Sequence, residues 1–196
     1  MIVELLRHGR TVLQEEGRYV GRTDDPLSAA GVEALLQAGR VPSVVYVSNK
    51  HRTAQTAGIV FPGARQLVVP GLEEMDFGRF EGHTFAELEH DVDYQAWVAG
   101  GCVEACPGGE GKAAFDQRVT AAFARLMDTA TARGEDRLSA VVHGGTIMAV
   151  LARWGQPRRD YFDWRVSCGC GYLLDATHWA SERTLFLLTE VKHTRS

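Results

Sequence analysis

A histidine and an arginine stand side by side near the N-terminus, directly after a short apolar run. Residues 2–6 form the run, and Arg7, His8 and Gly9 follow it. A guanidinium can bind two phosphate oxygens through parallel hydrogen bonds, and a neutral imidazole can attack phosphorus as a nucleophile. The pair therefore suggests phosphate chemistry, although a single Arg-His-Gly string is also compatible with a purely structural histidine.

Three further apolar runs are each followed by a residue that could take part in such chemistry. Residues 44–48 precede Arg52, residues 66–69 precede Glu74, and residues 139–142 precede His143. Ligands of open α/β sheets bind just beyond the carboxyl ends of parallel strands. If the four runs are parallel strands, two arginines, two histidines and one carboxylate meet at the same edge of the sheet.

The segments between these runs predict helices, and the chain has no internal repeat and no low-complexity tract. Ser28 is a suitable N-cap for a helix that continues through Leu36 and is ended by Gly39. Apolar residues at helical spacing predict a long amphipathic helix over residues 112–133 and a shorter helix over residues 146–154. Strands and helices therefore alternate along the chain, which indicates an α/β fold.

Two further regions complete the predicted fold. Residues 171–175 and 183–189 predict strands that form a closing pair at the edge of the sheet. Residues 77–111 form an insertion between core elements, and its end is a glycine-rich loop. We interpret the insertion as a lid that helps to shape the substrate pocket. Its large aromatic residues include Phe80, Tyr94 and Trp97.

Length and charge restrict the class of protein. A chain of 196 residues with 45% hydrophobic residues can form one sizeable core, so we predict a single domain over residues 1–196. The formal charge of −4 argues against general binding of nucleic acid or membranes. No apolar run approaches the roughly 20 residues of a membrane span and no signal peptide is recognisable, so we expect a cytoplasmic protein.

The four cysteines do not have the spacing of a zinc site. Cys102 and Cys106 are separated by three residues, whereas Cys168 and Cys170 are separated by only one. The second spacing is too tight for a zinc-binding pair. We therefore expect thiols that pack as small apolar groups, and we predict neither a metal nor a cofactor.

The motifs together resemble the histidine phosphatase superfamily, which includes the cofactor-dependent phosphoglycerate mutases. The matching segments are Leu6-Arg7-His8-Gly9 with Thr11, Ser48 with Arg52-Thr53 and Gln55-Thr56-Ala57, Leu72 with Glu74, Phe77-Gly78 with Glu81-Gly82, and Val142-His143-Gly144-Gly145. Looser matches are Gly21-Arg22-Thr23-Asp24, Pro26-Leu27-Ser28 with Gly31, and Pro107-Gly108-Gly109-Glu110. The resemblance extends from residue 2 to about residue 175, and four spaced motifs in the right order make it specific.

The resemblance implies a role for each residue at a matching position. His8 is the expected nucleophile, Arg7 and Arg52 are expected to bind the phosphate, and Glu74 is the expected acid and base. His143 is expected to contact the phosphate as a protonated donor. We expect further substrate contacts from Gln14, Arg22, Thr23 and Gly144. The implied fold is a three-layer sandwich, with a mostly parallel central sheet, helices on both faces and a lid insertion.

The sequence departs from the common pattern of the superfamily at three positions. Arg10 stands where many members have Glu, Gln14 where many have Asn, and Gly111 where Ser often follows Pro-Gly-Gly-Glu. We expect these departures to affect which substrate is bound rather than which reaction is catalysed.

Within the superfamily, the short chain most resembles the α-ribazole phosphatases of cobalamin assembly. We predict a metal-independent phosphomonoesterase that acts on a small phosphorylated metabolite through a phosphohistidine. The alternatives are a phosphotransferase of the phosphoglycerate mutase type and a non-enzymatic phosphate-binding scaffold with the same fold. The expected partner is a small phosphomonoester substrate, and we expect no binding to nucleic acid or membranes. A homodimer is compatible with the sequence.

Overall fold

A seven-stranded sheet forms the centre of the protein in a computed structural model that describes residues 1–195. Its strands are β1 (Ile2–Arg7), β2 (Val44–Val47), β3 (Arg65–Val68), β4 (Arg137–Val142), β5 (Gly155–Gln156), β6 (Cys170–Asp175) and β7 (Leu185–Lys192). Their order across the sheet is β3-β2-β4-β1-β6-β7-β5. The first four are parallel to one another, and β6 is antiparallel to both β1 and β7. The four predicted parallel strands and the mostly parallel sheet are confirmed.

The late strands β6 and β7 form the predicted antiparallel pair, but they do not form the outer edge along their whole length. The short strand β5 pairs with Leu185 and Phe186 on the far side of β7. A strand of two residues has too few positions to show the alternation by which strands are detected in a sequence. The prediction of the edge was therefore wrong at this end of β7.

Eight α-helices within residues 1–195 surround the sheet: α1 (Val12–Glu15), α2 (Ala29–Ala34), α3 (His51–Val60), α4 (Phe85–Leu88), α5 (Val92–Ala99), α6 (Lys112–Ala132), α7 (Gly144–Trp154) and α8 (Trp179–Glu182). The long amphipathic helix is confirmed as α6, and its apolar residues Phe115, Val119 and Phe123 are buried. Helix α7 is also confirmed, although it begins two residues before the predicted start.

Helix α2 is shorter than predicted. Its N-cap is correct, because the Ser28 hydroxyl accepts a hydrogen bond from the Gly31 N–H at 2.8 Å. The helix ends at Ala34 rather than continuing through Leu36. Leu35 instead takes an extended conformation, and the Leu36 N–H donates to the carbonyl of His193 at 2.9 Å. Hydrogen bonds to the C-terminal segment therefore replace the last hydrogen bonds of the predicted helix. Local sequence does not reveal these partners, because they lie far away in the chain.

Alternate residues of the central strands face two different hydrophobic clusters. Leu5 and Val142 belong to the cluster that α6 and α7 cover, whereas Leu6 and Val141 belong to the cluster that α3 covers. The sheet is thus enclosed by helices on both faces, which confirms the three-layer architecture.

The insertion has a small core of its own. Phe80, Tyr94 and Trp97 are buried against one another, with ring centroids 5.3–6.1 Å apart. The Tyr19 hydroxyl completes the cluster through a hydrogen bond of 2.7 Å to the Tyr94 hydroxyl. These rings therefore stabilise the insertion internally, and the interpretation of the insertion as a lid that helps to shape the substrate pocket stays a prediction.

Candidate active site

His8 lies just beyond the carboxyl end of β1, in a buried position. Its N–H donates to the Val142 carbonyl at 3.0 Å, which extends the pairing of β1 with β4 by one residue. Its Nδ1 lies 2.7 Å from the carbonyl oxygen of Gly9. Because a carbonyl oxygen can only accept, Nδ1 carries the proton in this contact and Nε2 keeps its lone pair. Burial, followed by the charges of Arg52 and Arg7, holds the pKa of His8 well below its usual value. The imidazole is therefore neutral, as a nucleophile requires.

His143 is the N-cap residue of α7, and its ring centroid lies 5.1 Å from that of His8. The Nε of Arg52 donates to His143 Nδ1 at 3.3 Å, and His143 Nε2 lies 2.8 Å from the Ser48 hydroxyl. Since an arginine only donates, Nδ1 must be unprotonated and Nε2 must carry the hydrogen. Burial first, and then Arg52, also lowers the pKa of His143 well below its usual value. His143 is therefore neutral in this geometry, and its expected role as a protonated donor to a bound phosphate stays a prediction.

Arg52 is completely buried in the first turn of α3. Its Nη1 donates to the Thr23 carbonyl and its Nη2 to the Gly21 carbonyl, each at 2.7 Å. With the bond to His143, three of the five N–H groups of the guanidinium are engaged by the protein. Two N–H groups of a fixed guanidinium are then left for a ligand.

Within the residues that the structure describes, the Arg7 guanidinium is hydrogen-bonded through Nη1 and not through Nε. Its Nη1 donates to the Val166 carbonyl at 2.8 Å, whereas its Nε is buried and has no hydrogen-bond partner among residues 1–195. Gly144 lies against this guanidinium, since a Cβ on Gly144 would be 3.4 Å from both Nε and Cζ of Arg7. A buried N–H without a partner costs about 1–3 kcal/mol. An anion bound between Arg7 and the N-terminus of α7 would remove that cost.

Glu74 follows β3 and reaches the N-terminus of α7. Its Oε2 accepts from the Gly145 N–H at 2.9 Å, and its Oε1 accepts from the Met75 N–H at 3.0 Å. A Cβ at Gly145 would lie only 2.2 Å from Glu74 Oε1, so this approach requires glycine. The positive end of the helix favours a carboxylate at this position.

The carboxylates of the neighbouring acids Glu73 and Asp76 contact residues other than those of α7. Glu73 accepts from the Gly71 N–H at 2.8 Å and lies 3.5 Å from Arg118. Asp76 accepts from the Gly78 N–H at 2.7 Å. Of the three acids in this segment, Glu74 is the one that contacts the helix next to His143.

The expected substrate-binding residues have different surroundings. The Thr23 hydroxyl donates to Glu81 at 2.6 Å, so the structure does not present that hydroxyl to a ligand. The Gln14 side-chain oxygen accepts from the Thr11 N–H at 3.3 Å. The Arg22 side chain is 62% exposed and lies 3.5 Å from Asp76. The roles of these residues stay predictions.

Glu74 also lines an open cleft of about 630 Å³. Its charged lining residues are Arg22, Lys50, Glu73, Glu74, Asp76, Glu110 and Arg118. Small residues from the end of the insertion, among them Gly109 and Gly111, complete the wall. We expect the leaving group of a bound ester to occupy this cleft, because Glu74 both lines the cleft and contacts α7 next to His143.

Two further groups take part in the site without having been assigned a role from the sequence. The Thr56 hydroxyl accepts from the Gly9 N–H at 2.9 Å and donates to the Arg52 carbonyl at 2.7 Å, which ties the loop after His8 to α3. Glu81 binds the loop that holds Arg52. Both residues belong to the recognised motifs, but a motif does not show which partners a side chain meets.

Within residues 1–195, no group of three or more His, Cys, Asp or Glu side chains could hold a metal ion. All four cysteines are free thiols. That the reaction needs no metal stays a prediction. No helix in the described part of the chain is long and apolar enough to cross a membrane.

Comparisons with known proteins identify the family of the chain. The family model of the histidine phosphatase superfamily (branch 1) matches residues 3–184. The adenosylcobalamin/alpha-ribazole phosphatase of Escherichia coli (strain K12) is 32% identical over 182 residues, which cover 87% of this chain and 88% of that protein. The alpha-ribazole phosphatase of Shigella flexneri superimposes with a TM-score of 0.84 at 28% identity, over 100% of this chain and 98% of that chain. A phosphoglycerate mutase from Thermus thermophilus gives a TM-score of 0.70 at 28% identity, over 97% and 98% of the two chains.

Proposed function

The chain belongs to the histidine phosphatase superfamily and is a phosphatase, and we propose that it hydrolyses a small phosphomonoester through a phosphohistidine on His8. The observation that carries this proposal is the buried, unpartnered Nε of Arg7 beside a neutral His8. A tetrahedral dianion at this point would accept from Arg7, from the two remaining N–H groups of Arg52 and from the N-terminus of α7.

In the first step, His8 Nε2 attacks phosphorus while the bond from phosphorus to the ester oxygen breaks. The two guanidinium groups and the end of α7 stabilise the charge on the other three phosphoryl oxygens. Glu74, protonated when the ester binds, delivers its proton to the departing oxygen, because an alkoxide is a poor leaving group, and it leaves this step as the carboxylate that the N-terminus of α7 stabilises. In the second step, the Glu74 carboxylate takes a proton from water as the water attacks phosphorus, the bond from phosphorus to His8 Nε2 breaks, and orthophosphate is released. Glu74 is then protonated again, as it was at the start of the turnover.

For the substrate, we propose α-ribazole 5′-phosphate as the first candidate. The support is that the relatives of 28–32% identity described above include phosphatases of this name. A phosphoglycerate mutase activity is the second candidate, because a protein with that name has the same fold.

The geometry favours hydrolysis over phosphate transfer between positions of one substrate. A mutase must protect its phosphohistidine from water while the substrate reorients. Here the cleft at Glu74 is open, and the C-terminal segment is tied to α2 through the bond from the Arg195 N–H to the Ala34 carbonyl at 2.8 Å. That segment is therefore not available to close the cleft.

The test is a substrate panel with and without a chelator. Phosphate release is measured on an aryl phosphate, on α-ribazole 5′-phosphate and on 3-phosphoglycerate with a bisphosphoglycerate primer. We expect hydrolysis to exceed isomerisation and to survive exhaustive chelation. Isomerisation much faster than phosphate release would make the protein a mutase, and loss of activity with chelator, restored by zinc or magnesium, would contradict the metal-independent mechanism.

A further inference from the structure

The Glu81 carboxylate collects an unusual number of hydrogen bonds for one side chain. It accepts from the backbone N–H groups of Gly21, Arg22, Thr23 and Phe77 at 2.8–3.3 Å, and from the Thr23 hydroxyl at 2.6 Å. Burial by itself raises the pKa of Glu81, but the hydrogen bonds from Thr23 and the backbone outweigh it and leave the pKa below its usual value. Glu81 is therefore a fixed negative charge.

The carbonyl groups of the same loop, residues 21–23, accept hydrogen bonds from cationic side chains. The Gly21 and Thr23 carbonyls accept from Arg52, each at 2.7 Å, and the Arg22 carbonyl accepts from Lys50. The peptide group between residues 21 and 22, and the one between residues 22 and 23, thus each have the N–H on Glu81 and the C=O on a cation. Peptide dipoles aligned in this way couple the carboxylate to the guanidinium.

The loop has no room to shift. A Cβ at Gly21 would lie 1.7 Å from the Met75 carbonyl oxygen and 2.6 Å from Glu81 Oε1. The backbone of Gly21 is therefore packed directly against Glu81. Because Glu81 also accepts from the Phe77 N–H, it joins the start of the insertion to the loop. A displacement of Glu81 would move the carbonyl groups that hold Arg52.

We propose that Glu81 is a positioning residue for the phosphate site: it fixes the Arg52 guanidinium through the loop of residues 21–23. The inference rests on the proposed function, in which Arg52 binds the phosphoryl group. Glu81 itself does not contact the reacting atoms. Its effect is exerted on the orientation of the two Arg52 N–H groups that are left for the ligand.

The central variant is Glu81→Gln, which keeps the size of the side chain, removes its charge and places an NH₂ group against the loop N–H donors. We expect the dissociation constant of orthophosphate, measured by calorimetry, to rise by about 10-fold or more, and kcat on an aryl phosphate to fall, because small misplacements of binding groups have effects of this order. Glu87→Gln is the matched control. Glu87 lies in the same insertion but binds Thr84 and Arg18, so its replacement is expected to leave phosphate affinity unchanged.

A double-mutant cycle with Arg52→Lys separates positioning from a general structural role. If Glu81 acts through Arg52, adding Glu81→Gln to Arg52→Lys weakens orthophosphate binding little further. The inference would be overturned if the losses of orthophosphate affinity in the two single variants multiplied in the double variant. An unchanged affinity in Glu81→Gln alone would also overturn it. Unchanged affinity in Arg52→Lys alone would instead contradict the proposed phosphate contact of Arg52, so the two failures are distinguishable.

Should Glu81→Gln fail to fold, as judged by circular dichroism, Thr23→Val provides a milder variant. It removes the 2.6 Å hydrogen bond to Glu81 and keeps the size of the side chain. We expect a smaller loss of phosphate affinity than in Glu81→Gln. Adding Thr23→Val to Arg52→Lys should cause little further loss. Full affinity in a folded Thr23→Val protein whose thermal stability has decreased would assign a purely structural role to this contact and overturn the inference.

Discussion

The two sides of the site differ in how far their side chains are exposed to solvent. On the phosphate side, His8, Arg52 and His143 are almost fully buried and hydrogen-bonded to the backbone or to one another. On the leaving-group side, the charged residues line an open cleft, and the Arg22 side chain is 62% exposed. We therefore expect the core elements to determine the reaction and the more exposed cleft to determine which ester is accepted. A rigid phosphate pocket can therefore serve different leaving groups.

The largest effect is expected on the buried side, from His8→Ala. Removal of the nucleophile should reduce kcat by roughly 10⁴-fold or more, because no phosphohistidine can form. In the wild type, an acid-free quench followed by mass spectrometry should find phosphate on His8. The control is His51→Ala, since the His51 side chain is 78% exposed. An active His8→Ala protein would contradict the mechanism.

A smaller and selective effect is expected from Glu74, which lies between the two sides. Glu74→Gln should slow esters of aliphatic alcohols by about 10²-fold or more and nitrophenyl phosphate far less, because nitrophenolate leaves without a proton. Glu73→Gln is the matched control, since Glu73 is engaged by Gly71 and Arg118. Equal losses for both kinds of leaving group would limit Glu74 to positioning the substrate.

On the open side, Arg22→Ala should change selectivity rather than chemistry. We expect KM to rise a few-fold for substrates whose leaving group is anionic, which is the order of a partly exposed ion pair. The affinity for orthophosphate should stay the same, because the loop is held by the backbone of residue 22 and not by its side chain. Arg79→Ala, an exposed arginine of the insertion, is the control. A uniform loss on all substrates would mean that Arg22 belongs to the phosphate pocket.

The smallest effect concerns stability and pH. The folded protein holds His8 and His143 without protons, because burial and then Arg52 lower both pKa values, whereas the unfolded chain binds these protons below about pH 6.5. Acid therefore stabilises the unfolded state, and Tm should fall by a few degrees as the pH decreases from 7.5 to 5.5. Glu4 and Glu81, whose pKa values are lowered, stabilise the folded state above their usual value of 4.5, and this stability is lost only as the pH falls below that value.

Calorimetry of two variants tests the origin of this pH dependence. His143→Asn should make Tm less sensitive to pH, because one of the two buried titrating groups is gone. His90→Asn should leave the slope unchanged, since the His90 side chain is 93% exposed. Identical slopes in all three proteins would exclude the buried histidines as the cause.

Much of the fold and of the site could be predicted from local sequence. The apolar runs identified the four parallel strands, and their ends located Arg7, His8, Glu74 and His143 at one edge of the sheet. The long helix α6 was recognisable because its apolar residues recur at helical spacing. These features depend on near neighbours in the chain, and periodicity and motif spacing report such neighbours directly.

Other properties were decided only when distant segments met. Helix α2 ends early because the Leu36 N–H binds the His193 carbonyl. The pKa of His143 is lowered by burial and then by Arg52, which donates to it across 91 positions of the chain. Glu81 acquires its partners from a loop about 60 residues away. The sequence by itself determined which strands form and which chemical groups stand at their ends. Protonation, hydrogen-bond direction and support of those groups depend on burial and on partners in space, so only the tertiary structure decided them.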